Sequence, residues 1–245
     1  MIIKKFLIYF TMYMLTACNL MGCGIGIDKN DSLDNKSYIN EKKIIELNGA
    51  KQAKVDINMG TGELSIKSGE KKFMESEFLY KLPEWKPNIE YEVNNKEGKL
   101  KIYQPSSHNT NAKDNKYKWN LAFNKDVPID MNIEGGAVEG HIDLSKLNLN
   151  KLFIATGVSD MDIDLSGDYK QNIKAEIEGG VGSLKIYLPK NIGVKVNAGK
   201  GVGRIKVDGL KKDQDEYVNE SYGKTKNNIY LNIGVGVGEV EIKVK

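Results

Sequence analysis

Apolar and polar side chains alternate with a period of two through most of this chain. In AKVDINM, Val55, Ile57 and Met59 fall on one face and Lys54, Asp56 and Asn58 on the other, the pattern of a half-buried strand. The same alternation returns in IEYEV and KLKIY, which flank Asn94-Asn95 and Glu97-Gly98 and predict a hairpin. Further on, Ile173, Ala175 and Ile177 lead into a glycine cluster, and Leu184, Ile186 and Leu188 lead out of it. No segment of any length carries a helical period. LSKLNLNKLFI (144–154) hints at a leucine-rich repeat but occurs once, so its leucines are expected to fill the bend between two strands. The prediction is an all-β chain.

The alternating segments repeat on one frame. GAVEGHIDL from Gly136, GVSDMDIDL from Gly157, GVGSLKIYL from Gly180, GVGRIKVDG from Gly201 and GVGEVEIKV from Gly236 align, and GTGELSIKS from Gly60 fits the frame earlier in the chain. Four of the leading glycines are spaced by 21, 23 and 21 residues, and the last step of 35 accommodates an insertion over 211–228. Two short strands and a glycine corner per unit describe a stacked β-repeat, each unit burying its apolar face against the next. A hidden Ile, Leu or Val contributes about 1.5–3 kcal/mol, so several consecutive units are needed for stability. The predicted organisation has an N-terminal β-region with its hairpin over 46–104, a mobile polar loop over 105–118 and the glycine-cornered stack over 119–245.

The glycines invite a phosphate-binding reading, which their setting opposes. A dinucleotide fingerprint needs a helix after its glycines, because the helix N-terminus holds the pyrophosphate. Here every cluster leads into another strand. NAGKGVG (197–203) resembles a P-loop only superficially, since Gly201 follows the lysine where Ser or Thr is required. Glycine reaches φ > 0 and lacks a Cβ, so Gly60, Gly136, Gly157, Gly180, Gly201 and Gly236 are read as structural residues that let backbones bend and pack closely.

Other chemistry has little to stand on. DMDIDLSGD (160–168) looks like a calcium loop, but Leu165 occupies the position of the required glycine and Gln171 that of the closing glutamate. Its aspartates are instead the wet face of a strand. The two histidines, His108 and His141, lie in the polar loop and at an outward repeat position, and no nucleophile–histidine–carboxylate arrangement is visible. No catalytic residue, metal site or cofactor is expected. Trp85, Tyr80, Tyr91 and Trp119 are candidates for stacking on sugars, with core packing as the competing reading. Net charge is +3, and Arg204 is the only arginine among 36 basic residues. That scarcity argues against nucleic-acid recognition, which favours the bidentate guanidinium.

The N-terminus carries a location signal. MIIKK is a short basic region, and Phe6 to Ile27 carries no charge. LTAC (15–18) and LMGC (20–23) each resemble a lipobox ending in the cysteine to be acylated, in the basic, apolar, small-residue order of a secretory signal. LTAC has the better small residue at its second position, where LMGC has the bulky Met21; Cys23 gives the more usual signal length. The alternative is an uncleaved anchor, because about 20 apolar residues span a bilayer. Residues 1–22 are thus read as signal or anchor and 23–45 as a flexible tether, with everything beyond Asp28 outside the cytoplasmic membrane. Both cysteines lie in this segment, so the exported part has no disulfide framework.

The runs IIELNGAKQAKVDINMGTGELSIKSG, PEWKPNIEY and GGVGSLKIYLP, in that order, resemble the bacterial toast-rack β-domain proteins over roughly 45–245. These are related to the C-terminal domain of envelope-stress regulators that respond to cell wall-active antibiotics, and to adhesin β-repeats. The resemblance implies a toast-rack or β-solenoid-like fold and an extracytoplasmic, non-enzymatic interaction module. Its expected partners are the membrane, through the N-terminal lipid or anchor, and an envelope protein or wall glycan. The regulators have several transmembrane helices where this chain has one N-terminal hydrophobic segment. The adhesin-like alternative would use Trp85 and Tyr91 on wall glycan.

Overall fold

A computed structural model describes residues 38–69, 71–106 and 116–245. The strands in chain order are β1 (Ile39–Ile45), β2 (Gln52–Gly69), β3 (Met74–Tyr80), β4 (Asn88–Asn94), β5 (Glu97–Tyr103), β6 (Lys118–Asn124) and β7 (Ile129–Asp143). There follow β8 (Leu149–Asp164), β9 (Ile173–Leu188), β10 (Gly193–Asp208), β11 (Lys211–Asp213), β12 (Glu216–Val218) and β13 (Asn228–Val244). All 13 belong to one sheet. Six of them are long: β2, β7, β8, β9, β13 and β10 run parallel in that spatial order and form the rungs of the stack.

Each rung turns a corner at its glycines. In β9 the buried positions are Ile173, Ala175 and Ile177 before the corner and Leu184, Ile186 and Leu188 after it, so the alternation changes phase between them. Side chains from both halves belong to one hydrophobic core. The strand therefore folds over itself, and its two halves enclose that core. The register of every rung pair passes over the leading glycine, which aligns Gly60, Gly136, Gly157, Gly180, Gly236 and Gly201 at one level of the stack.

Two physical demands operate at the corner, on different residues. A Cβ on Gly157 would lie 2.8 Å from the carbonyl oxygen of Gly136, one on Gly236 2.6 Å from that of Gly180, and one on Gly201 2.5 Å from that of Gly236. The leading glycines therefore serve close approach between neighbouring rungs. Positive φ falls two residues later, at Gly62, Gly182, Gly203 and Gly238. Gly180 itself, read from sequence as able to supply either property, supplies the first.

The order of the rungs departs from the order of the chain. Consecutive units would stack β9, β10, β13, but β13 inserts between β9 and β10. The 211–228 insertion makes this possible by carrying the chain out and back. Its β11–β12 hairpin pairs with Lys195 and Val196 of β10. Asn219, 6% exposed, ties the insertion down. The Val194 N–H donates to its Oδ1 (2.9 Å), and its Nδ2 donates to the carbonyls of Pro189 (3.1 Å) and Ile192 (2.7 Å).

At the other end of the stack the two halves of β2 receive different covers. Gln52–Asn58 pairs with β5, which carries β4 as the expected hairpin. Glu63–Gly69 pairs with β6, followed by β3 and β1. Two boundaries change accordingly. Residues 39–45 form β1, so the tether reading does not extend over them; the core-side positions Glu41 and Lys43 carry charge, which hides the strand from an apolar-alternation argument. The stack begins at β2 and not at residue 119. Leu144 and Leu147 are buried in the β7–β8 connection, and Leu149 at the start of β8. Of the polar loop, residues 107–115 lie outside the described residues, as do residues 1–37.

Candidate functional site

The outward positions of the first strand halves line a shallow groove of about 590 Å³. Strand parity places these residues there: the neighbours of buried Val55, Met131, Leu152, Ala175 and Leu231 must face outward. Register sets them in two rows across β2, β7, β8, β9 and β13. One row reads Lys54, Asp130, Lys151, Lys174, Tyr230, and the other Asp56, Asn132, Phe153, Glu176, Asn232. At about 4.8 Å per rung the groove runs roughly 19 Å across the strands.

Its chemistry is that of a recognition surface. Lys151 pairs with Asp130 at 3.1 Å. Asn132 Nδ2 donates to Glu134 (3.2 Å) and Asp56 (3.4 Å), while its Oδ1 is buried with no hydrogen-bond partner. Lys174 has no ion pair among the described residues, and Tyr230 is 38% exposed. Beside the groove, burial and the neighbouring Glu176 push the Glu178 carboxyl above the ordinary carboxylate range. No nucleophile stands beside a base in the groove, and no cluster of three or more metal-ligating side chains occurs among the described residues. Two rings flanked by amides and charges suit stacking and hydrogen bonding to an extended polar ligand.

The aromatic residues singled out from sequence sit elsewhere. Trp85 lies in a short 3-10 turn (Pro83–Trp85), is 8% exposed and meets Tyr117 edge to face. Tyr91 stacks on Phe73 with centroids 5.2 Å apart, and its hydroxyl donates to the Leu47 carbonyl at 2.9 Å. Trp119 is fully buried, and Tyr80 is buried with its hydroxyl on Glu41. Burial and that carboxylate push the Tyr80 phenol up to about 12. A wall-glycan site on Trp85 and Tyr91 is therefore corrected: both rings are occupied by core packing. Phe153 and Tyr230 were the aromatics to find. Both stand one position off a buried apolar alternation, Leu152/Ile154 and Ile229/Leu231, which is the signal that marks an outward ring.

The remaining sequence candidates divide between surface and the undescribed segments. Asp160, Asp162 and Asp164 face outward while Met161, Ile163 and Leu165 are buried. His141 is exposed, 3.8 Å from Asp162 and 3.9 Å from Glu139. Cys18, Cys23 and His108 lie outside the described residues. Among the described residues no helix is long and apolar enough to cross a membrane.

Comparison with known proteins places the chain in context. Residues 34–187, more than half of the chain, match the N-terminal domain of toast_rack, and residues 146–242 match the family described as "Cell wall-active antibiotics response LiaF, C-terminal". A crystal structure of a "putative cell adhesion protein" from Clostridium sporogenes is 44% identical, with a TM-score of 0.83; the match covers 85% of this chain and all of that one. A "putative adhesin" from Bacteroides fragilis is 12% identical over 86% of this chain and 98% of its own, with a TM-score of 0.32 that supports no argument. No curated protein matches the chain. The glycine-cornered rungs, the long family match and the 44%-identical structure lead to one conclusion: the chain belongs to the toast-rack family.

Proposed function

We propose that the protein is a non-enzymatic interaction module of the cell envelope, anchored to the outer face of the cytoplasmic membrane, with an adhesin-like or envelope-stress role. The observation that carries this reading is the 44% identity, over the whole of the relative, to a protein described as a "putative cell adhesion protein". The match to the cell wall-active antibiotics response family supports the same setting, and neither description names an enzyme. Anchoring follows from the lipobox-like LTAC and LMGC segments, with Cys18 or Cys23 as the acylated residue.

Two experiments test this. Metabolic labelling with a fatty-acid analogue should tag the full chain and fail in the Cys18→Ala/Cys23→Ala double variant; equal labelling of both removes lipid attachment at these cysteines. Pull-downs with the full chain, run separately on purified wall and on membrane proteins, should retain a specific partner. Recovery of none from either source sinks the interaction reading.

The groove favours a second reading, recognition of wall glycan by Phe153 and Tyr230. Calorimetric titration with solubilised wall glycan should then show saturable binding that weakens at least about tenfold in Tyr230→Ala, the loss of one stacking contact. Unchanged affinity in that variant removes the groove from consideration.

A further inference from the structure

The stack ends on one side in β10, and the two halves of that strand end differently. Lys195 and Val196 are covered by β12. Beyond Val196, β10 has β13 on one side and, among the described residues, no strand on the other. Its alternate main-chain N–H and C=O groups there point away from β13, as in any edge strand. Ile205 and Val207 remain partly exposed, whereas their rung neighbours Val240 and Ile242 are both at 0%. Val202, at the corner of the same edge, is 68% exposed.

The opposite end shows how this protein protects an edge. Among the described residues β1 pairs only with β3, and its core-side positions opposite Phe78 and Ser76 are Glu41 and Lys43. Glu41 is held there by Lys86 (2.8 Å) and by the Tyr80 hydroxyl (2.7 Å). An incoming strand would have to bury that charge, which is a recognised way to prevent edge pairing. At the corresponding inward positions β10 carries Ile205 and Val207, and no such guard is present.

The outward row of the same half selects the sign of a partner. Outward charge alternates from rung to rung: Asp160 and Asp162 on β8, Lys185 on β9, Glu239 and Glu241 on β13, then Arg204 and Lys206 on β10. Neighbouring rungs are joined by Lys185–Asp162 (3.9 Å) and Lys206–Glu241 (2.9 Å). Lys206 and Lys243 together hold the Glu241 carboxyl down to about 2. Arg204 has no ion pair among the described residues. At these two positions the series stops on cations, with Asp208 following at the third, and the member that would continue it is acidic opposite Arg204 and Lys206.

We propose that the second half of β10, Val202 to Asp208, receives an extended strand of a partner protein that carries carboxylates at alternate, outward positions. Main-chain pairing would supply affinity, and Arg204 with Lys206 would select the acidic strand. β12 covers β10 only at Lys195 and Val196, on the first-half side. The proposal deepens the interaction reading and rests on it for a physiological partner. The measurement below reports on the edge itself, so a failed pull-down and a failed edge are distinguishable.

The probe is a fluorescent synthetic peptide of sequence GVGEVEIKV, copied from 236–244. On its β13 face, β10 already sets Glu239 of this sequence opposite Arg204 and Glu241 opposite Lys206. Anisotropy titration against the detergent-solubilised full chain should show saturable binding. It should weaken at least tenfold with Ile205→Lys, which copies the β1 guard, and with a peptide in which both glutamates are lysine. Arg204→Glu/Lys206→Glu, at exposed positions, should reverse the preference between the two peptides and keeps the test valid if Ile205→Lys disturbs folding. Absence of saturable binding overturns the proposal. So does binding indifferent to these substitutions, or self-association of the full chain that Ile205→Lys abolishes, which would make a second copy the occupant.

Discussion

Gly234 and Gly236 stand two residues apart on β13, neither has positive φ, and they face opposite consequences from the same methyl group. A Cβ at Gly234 meets nothing within 4 Å, whereas one at Gly236 lies 2.6 Å from the carbonyl oxygen of Gly180 on the next rung. An unstrained contact of that kind begins near 3.4 Å, so Gly236→Ala must open the spacing locally by about 0.8 Å. β13 is hydrogen-bonded on both sides, to β9 and to β10, so it cannot drift away from one neighbour without straining the other. Overpacking of this kind costs about 1–3 kcal/mol. Gly234→Ala carries no such cost and gains about 0.4–1 kcal/mol, because alanine restricts the unfolded chain. The two variants should therefore differ by roughly 1.5–4 kcal/mol. For a domain of this size that corresponds to a Tm gap of roughly 3–16 °C in a circular-dichroism melt, with Gly236→Ala the lower. Melting within a degree of each other would show that the aligned glycines are not there for close approach.

Two further outcomes follow from the same reasoning. Asn219→Ala strands the Val194 N–H and the carbonyls of Pro189 and Ile192 in a buried setting, so urea unfolding should show a loss of about 2–4 kcal/mol. A loss under about 0.5 kcal/mol would mean that the insertion is held by other contacts. Glu41 provides a pH test. Its hydrogen bond from Lys86, with further help from Tyr80 and Lys43, outweighs burial and holds its carboxyl below the ordinary value. A depressed folded-state pKa stabilises the protein above the unfolded-state value and loses that contribution as pH falls through the folded one. Tm should therefore drop on acidification below about pH 4.5 by more in the parent than in Glu41→Gln. Parallel Tm–pH curves would refute the assignment.

What was legible in the sequence is what strand periodicity and glycine chemistry encode locally. A period of two states which side chains share a face, so the buried runs Val55/Ile57/Met59 and Ile173/Ala175/Ile177 could be read directly, as could the dry and wet faces of DMDIDL. The recurrence of glycine between two alternations marked the corners, since a backbone that turns and touches its neighbour has few other residues to use. Aromatic placement was less secure because size and a neighbouring proline do not report burial. Trp85 and Tyr91 turn inward, while the parity of Phe153 and Tyr230 directs both rings to the groove. β1 is not legible from periodicity, because an edge guarded by Glu41 and Lys43 lacks the apolar alternation of a half-buried strand.

Neighbour choice is another matter, and tertiary structure alone decided it. All six rungs carry the same leading glycine and the same alternation, so neither of these features says which rung goes beside which. The insertion of β13 between β9 and β10 depends on long-range facts: the reach of the 211–228 excursion, the anchoring of Asn219, and the meeting of Gly236 with Gly180 on one side and Gly201 on the other. That order also left β10 as the terminal rung and its second half uncovered. The sequence determined the rung; packing between distant rungs determined which of them would end the stack, and with it where an edge stays open.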